Sequence, residues 1–279
     1  MRTVSVELAR IALDVARRAA ELVRGPAAHG VTVAATKSSE VDVVTEADRA
    51  SEELIRRLIG EQRPDDAFLG EEGDDVAGST GVRWIVDPID GTVNFLYGLP
   101  QYAVSIAAEV DGTVVAGVVL NAATGTEYVA WLDADARDPG AGTATRDGDA
   151  IVVRAPAPLG QRLVGTGFNY DAGLREIQAR AMVSLLPRVR DIRRLGSCAL
   201  DLCHVAEGSL DAYVEEGVNL WDHAAGALVA RVAGATTELT VGAGGKHLLM
   251  CAPAHGFDEF REAVREAGFL GSDAPLARE

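Results

Sequence analysis

Between Asp65 and Gly98 the chain carries eight acidic residues (Asp65, Asp66, Glu71, Glu72, Asp74, Asp75, Asp87 and Asp90) and one cation, Arg83. So many carboxylates in one segment need water or a counter-ion. The loop acids Asp65, Asp66, Asp74 and Asp75 read as a solvated face. Asp87 and Asp90 differ, because they follow the apolar run Trp84-Ile85-Val86 and are held around Pro88 in a tight turn that closes on Gly91-Thr92. Two carboxylates projected into one small space resist joint ionisation unless a cation lies between them. Oxygen ligands without His or Cys select Mg²⁺, Mn²⁺ or Ca²⁺ over zinc. Magnesium held by a few carboxylates typically keeps water and substrate phosphate in its remaining positions. Gly91 lets backbone N–H groups approach an anion, and the Thr92 hydroxyl can orient a water. The stretch therefore reads as a phosphate-handling metal site, against the plainer reading of a structural turn.

Other polar residues carry two readings each. Thr45-Glu-Ala-Asp48 looks like a capping-box variant at a helix start. Asp222, just inside another helix, suits the positive end of that helix's dipole. Arg188, Arg190, Arg193 and Arg194 form the one local basic run, and at least half of it reads as a solvated or interface face. Glu216 reads as an unpaired surface charge. Cys203 and Cys251 read as small buried hydrophobes. His29, His204, His223, His247 and His255 have no metal-ligand spacing.

The elements that must position these residues follow from periodicity. Leu8, Ile11, Ala12, Val15, Ala19 and Leu22 mark an amphipathic helix ending near Gly25-Pro26. A second helix follows Thr45, with Leu54, Ile55, Leu58 and Ile59 as its apolar stripe. Residues 65–82 read as a polar, glycine-rich loop, and Trp84-Ile85-Val86 as a short strand stopped by Asp87-Pro88. From Tyr102 to Leu132 three β runs separated by turns at Asp111-Gly112 and Asn121 to Gly125 predict an antiparallel meander. Residues 133–160, rich in Asp, Gly and Pro, are the candidate boundary between an α+β half (1–150) and an α/β half (151–279). In the second half strands near 163–166, 211–214 and 247–251 alternate with helices near 174–186, after Gly196-Ser197, at 221–232 and after Gly256.

Composition bounds the rest. With 26 basic against 42 acidic residues the net charge is −16, which disfavours nucleic acid or an anionic membrane as partner. Three cysteines without CxxC spacing argue against a disulfide framework or zinc cluster and fit a reducing cytoplasm. The N-terminal stretch lacks the unbroken apolar core of a secretory signal, and no run reaches the roughly 18 apolar residues of a membrane span.

Three separated motifs, Gly70-Glu71-Glu72, Trp84-Ile-Val-Asp87-Pro-Ile-Asp90-Gly-Thr92-Val-Asn94-Phe and Trp221-Asp222-His-Ala-Ala-Gly226, resemble those of the inositol monophosphatase family of Mg²⁺-dependent, lithium-sensitive phosphatases. Lys37 to Asp48, Leu195-Gly196-Ser197-Cys198-Ala199 and Asp211-Ala-Tyr-Val-Glu215 fall in the same order, so the likeness spans nearly the whole chain. It implies a layered α-β-α-β-α sugar-phosphatase sandwich. It also implies two or three Mg²⁺ per subunit, with metal ligands Glu71, Asp87, the Ile89 carbonyl, Asp90 and Asp222. Asp48 would then stand beside Thr92 as its orienter, and Thr92 with Glu71 would aim a water at phosphorus. Asp90, Gly91, Thr92, Gly196, Ser197, Cys198 and Glu215 are the implied substrate contacts. Cys198 stands where many members carry alanine, and residues 133–149 match the usual hairpin only loosely. The implied substrate is a small polyol phosphomonoester such as myo-inositol monophosphate, and the implied assembly a homodimer. Fructose-1,6-bisphosphate, histidinol phosphate and 3′-phosphoadenosine 5′-phosphate are the rival substrates, the arginine run favouring a bisphosphate. A regulatory interaction protein of the same fold is the non-enzymatic alternative.

Overall fold

The structure, a computed structural model, describes residues 4–27, 33–36, 43–133 and 141–271. Helix α1 (Val4–Ala27) buries Leu8, Ile11, Ala12, Val15 and Ala19 along one stripe. A short antiparallel pair, β1 (Val33–Thr36) and β2 (Val43–Thr45), leads into α2 (Glu46–Gln62). The start of α2 is a full capping box: the Thr45 side chain accepts from the Asp48 N–H, and Asp48 accepts from the Thr45 N–H at 2.7 Å. Then come β3 (Ala67–Gly70), β4 (Val82–Asp90), the short helix α3 (Thr92–Tyr97) and the meander β5 (Ala103–Val110), β6 (Thr113–Asn121) and β7 (Glu127–Leu132). Strands β8 (Gly142–Arg146) and β9 (Asp149–Ala150) complete a seven-stranded sheet in sequence order, with only β3 and β4 parallel.

The chain changes sheet after Ala150. Strands β10 (Leu163–Thr166), β11 (Asp191–Arg193), β12 (Ala212–Glu216), β13 (Ala235–Val241) and β14 (His247–Pro253) form a five-stranded sheet of order β11-β10-β12-β14-β13. Between them lie α4 (Ala172–Leu185), α5 (Cys198–Ala206) and α6 (Leu220–Val232), and α7 (Phe257–Ala267) follows. Alternation sorts the faces. On β12, Ala212 and Val214 join the cluster under α7, while Tyr213 faces the cluster that holds α5 and α6. That middle cluster also takes Ile85, Ala103, Val119 and Tyr128 from the first sheet, so α5 and α6 fill the space between the two sheets. With α1 and α2 on the outer face of the first sheet, the layers run α-β-α-β-α.

Four details depart from the sequence expectation. Strand β4 is not stopped by Asp87-Pro88 but continues to Asp90. Its pairing slips there, Asp87 facing Ser105 and Asp90 facing Ala103, three steps against two. This is a β-bulge, where proline's missing N–H leaves no ladder bond unmade. The 65–82 segment contains β3, and Asp66 within it is buried, not solvated: it accepts from Arg63, Thr80 and the Trp84 indole. Strand β13, a sheet edge rich in threonine, has no counterpart in the sequence expectation. The boundary stretch 133–160 contains β8 and β9, joined at Asp147-Gly148, both at positive φ as a tight hairpin turn requires. Residues 134–140 of that stretch, the Lys37 to Asp42 part of the motif and His29 lie outside the described residues.

Candidate active site

The bulge in β4 re-aims the chain so that Asp87 and Asp90 stand beside the starts of three helices. Asp90 accepts from the Ser197 hydroxyl at 2.5 Å and from the N–H groups of Ala199 (2.7 Å) and Cys198 (3.3 Å) at the N-terminus of α5. Asp222 is the third residue of α6 and accepts from the Asn219 N–H at 2.6 Å. Asp48 holds the corresponding place in α2. Three of the acids are thus each bonded to a helix N-terminus, where the backbone dipoles favour negative charge. The helix-end reading of Asp48 and Asp222 holds, and the same geometry sets Asp48 against Thr92 and brings Asp222 to act on Asp87.

Glu71, on the loop after β3, reaches the Asp87 side chain within hydrogen-bonding range. Asp87 itself accepts from the Ile89 N–H at 3.0 Å. The Thr92 hydroxyl lies 3.1 Å from Asp48 Oδ1 and 3.1 Å from the Ile89 carbonyl, so Asp48 does stand beside Thr92. Gly91, between them, has φ +94°, and a Cβ there would fall 2.9 Å from the Gln101 carbonyl. No L side chain fits that position without strain.

Burial pushes the Asp87 carboxyl well above its ordinary value, and Glu71, Asp90 and Asp222 push it further. Asp90 rises to about 7, burial outweighing its bonds to Ser197 and Ala199, with Glu215 and Glu71 adding to the rise. Asp222 is raised by burial and by Glu71, against the Asn219 N–H. The charged groups acting on these three are other carboxylates. Arg83, the one cation of the acidic segment, is paired with Glu109 at 2.9 Å. The donor set therefore fits a divalent cation in its chemistry: hard oxygens, no His or Cys, and negative charge that other carboxylates reinforce and no cation of the described residues is seen to pair with. Among the described residues no three of these acids stand as a closed ligand cage.

The second half supplies the other wall. Glu215 and Tyr213 are two apart on β12 and so share a face, the Tyr213 hydroxyl donating to Glu215. The Cys198 thiol lies against Tyr213 in turn. Gly167 leaves the space that Glu215 occupies, since a Cβ there would fall 1.9 Å from its carboxylate. At the start of α5 the Cys198 and Ala199 amides, with the Ser197 hydroxyl, are taken up by Asp90. Glu216 is buried, not a free surface charge, and accepts from the Lys246 N–H at 3.0 Å. Of the arginine run, Arg188 pairs with Glu266, Arg193 with Asp191, and Arg190 donates to the Gln161 carbonyl. Arg194 instead lines a cavity of about 470 Å³ with Val93, Phe168, Tyr170, Arg175 and Ala179.

Sequence reasoning missed Tyr213, Arg175 and Asn94. The period-2 spacing of Tyr213 and Glu215 was the available signal for the first. Asn94 donates to the Gln101 and Leu195 carbonyls at 2.7 and 2.8 Å, tying α3 to the turn before α5. No spacing rule announces a bond across 101 residues.

A sequence model of the Inositol monophosphatase family matches residues 5–258. Inositol-1-monophosphatase SuhB of Mycobacterium tuberculosis is 44% identical over 274 residues, covering 92% of this chain and 93% of that one. Nus factor SuhB of Pasteurella multocida is 36% identical over 226 residues, 80% of this chain and 82% of its own. Among solved structures, the extragenic suppressor protein suhB of Bartonella henselae superposes with a TM-score of 0.81 at 29% identity, covering 92% of this chain and 98% of that one.

Proposed function

Because the chain belongs to the inositol monophosphatase family, we propose that it is a Mg²⁺-dependent phosphatase that hydrolyses myo-inositol monophosphate, or a similar polyol phosphate, to the alcohol and inorganic phosphate. The observation that carries this reading is the approach of Glu71, Asp87, Asp90 and Asp222, brought from three separate segments, with other carboxylates acting on them and no cation of the described residues among the main influences. These residues and the Ile89 carbonyl would hold the metal. Bound there, Mg²⁺ would supply an activated water and offset the charge on phosphate and leaving oxygen.

The chain's own residues do the positioning. The Thr92 hydroxyl, its proton directed to Asp48 or the Ile89 carbonyl, keeps a lone pair for a water that Glu71 also faces. Gly91 lets its neighbouring amides come close to phosphate oxygens. Glu215, braced by Tyr213, is the acceptor for polyol hydroxyls. Three buried, unpaired cysteines suit a reducing cytoplasm, and the family resemblance supports a homodimer. No helix among the described residues is long and apolar enough to cross a membrane.

A second reading has its own observation. Arg175 and Arg194 both line the cavity that begins at Val93, next to Thr92, which favours an ester whose alcohol carries a second anion, such as fructose-1,6-bisphosphate. A panel of inositol 1-phosphate, fructose-1,6-bisphosphate, histidinol phosphate and 3′-phosphoadenosine 5′-phosphate with Mg²⁺, with and without lithium, decides between them. Inositol phosphate is expected to lead and lithium to inhibit. A preference of about a hundredfold for a bisphosphate, lost in Arg175→Ala and Arg194→Ala, would replace the first reading by the second.

A further inference from the structure

Helix α2 carries Asp48, Glu52 and Arg56 at four-residue steps, hence on one face. Asp48 serves Thr92, but nothing in the reaction uses the other two. Glu52 is nonetheless 3% exposed, and an ionised carboxylate so deeply placed is costly unless it is paired and fully bonded. Both of its oxygens are engaged. Oε1 pairs with Arg56 Nη2 at 2.7 Å, and Oε2 accepts the backbone N–H of Glu72 at 2.7 Å. Arg56 extends the grip: Nη1 donates to the Asp74 carbonyl at 2.9 Å, and its guanidinium lies 4.1 Å from the centre of the Phe68 ring at the start of the same excursion.

The loop is shaped to admit the pair. A Cβ at Gly70 would fall 2.5 Å from Glu52 Oε2. One at Gly73 would fall 2.8 Å from Glu52 Oε1 and 2.9 Å from Arg56 Nη2. The two glycines, one on either side of Glu71, leave room for the ion pair to reach the backbone of Glu72 and Asp74. We infer that Glu52 and Arg56 are positioning residues: a buried latch on α2 that holds residues 70–74 so that the Glu71 carboxylate meets Asp87. Its consequence for cation affinity rests on the reading of Glu71 as a ligand; its consequence for loop order does not. The same bonds join α2 to the acidic loop, so Asp48 and Glu71 reach the site from opposite ends of a single bonded unit.

Two variants test this on the full-length protein. Arg56→Lys keeps a cation beside Glu52 but lacks the fork that reaches the Asp74 carbonyl as well. Glu52→Gln with Arg56→Met removes both charges together, leaving no buried charge unpaired and an amide oxygen for the Glu72 N–H. Mn²⁺ binding is measured by titration calorimetry, and amide hydrogen exchange is followed over residues 70–76. Both variants are expected to melt close to the parent. Exchange at residues 71–75 should accelerate selectively while β4 and α3 stay protected, and the Mn²⁺ concentration for half-saturation should rise about tenfold or more. Unchanged exchange at 71–75 in a folded variant would overturn the latch. Faster exchange with unchanged Mn²⁺ affinity would limit it to loop order and overturn its role at the site. A parent protein that binds no Mn²⁺ would instead count against the phosphatase reading, while the exchange data still decide the latch.

Discussion

Asp87→Asn and Asp90→Asn are each expected to lower Mg²⁺-dependent phosphate release by about a thousandfold, the scale for removing one charge-stabilising group, while raising the melting temperature in the absence of divalent cations. The two effects share a cause. Asparagine has the shape of aspartate, so at position 87 its oxygen still accepts from the Ile89 N–H and its amino group can donate to Glu71. At position 90 the oxygen still accepts from the Ala199 N–H. What disappears is a negative charge that neighbouring carboxylates repel and that a cation needs. Loss of activity with unchanged or higher stability separates a ligand from a merely structural acid, whose removal lowers both. Near-parental rates in both variants would remove the metal assignment.

Without divalent cation, thermal stability is expected to fall as pH rises from about 5 to 8, and saturating Mg²⁺ to restore more stability at pH 8 than at pH 5. Asp90 carries a folded-state value of about 7 against 3.8 for the free group, so between those values the folded protein holds a proton that the unfolded chain has released. Stability then decreases with rising pH across that window, and the decrease is complete above about 7. At roughly 1.4 kcal/mol per pH unit of displacement, Asp90 alone corresponds to about 4 kcal/mol, or on the order of 10 °C in a chain of this size. Asp87 and Asp222 are displaced in the same direction. Glu207 works oppositely. Bonded to His204, Ser209 and Tyr128, it is held at about 2 and contributes stability that is present above its ordinary value and lost as pH falls towards 2. A cation that binds only the folded, deprotonated site stabilises by mass action, and more strongly as the protons leave. Melting curves from pH 2 to 9 in chelator and in Mg²⁺ check both limbs. A stability that climbs steadily from pH 5 to 8 in chelator would contradict the repulsive site.

Much of this was legible because local chemistry repeats on a short period. The α1 stripe, the meander from β5 to β7, and the helices opening at Thr45, Ser197 and Asn219 all follow from alternation, helical spacing and capping residues within a few positions. Departures came where a longer-range partner overrode the local signal. Proline at 88 marks a strand end by itself, yet β5 supplies a partner that carries β4 past it through a bulge. Asp66 and Glu216 look like surface charges in the sequence. They are buried because Trp84 and Thr80 in one case, and the Lys246 amide in the other, meet them from distant segments.

By themselves the amino acids determined which groups exist to do chemistry: oxygen donors without nitrogen or sulfur, glycine and threonine beside them, and helix starts able to face an acid. Spacing also determined an α+β half followed by an α/β half, because apolar period is a local property, while the layered sandwich was implied by the family resemblance. Only the tertiary structure decided that Glu71 meets Asp87, that Asp90 is bonded to α5 across 107 residues, and that Arg194 alone of its run lines the cavity. Such meetings depend on how two sheets and five layers stack. Mutual repulsion and hydrogen bonding act through space, and chain order carries no record of that distance until the core has closed.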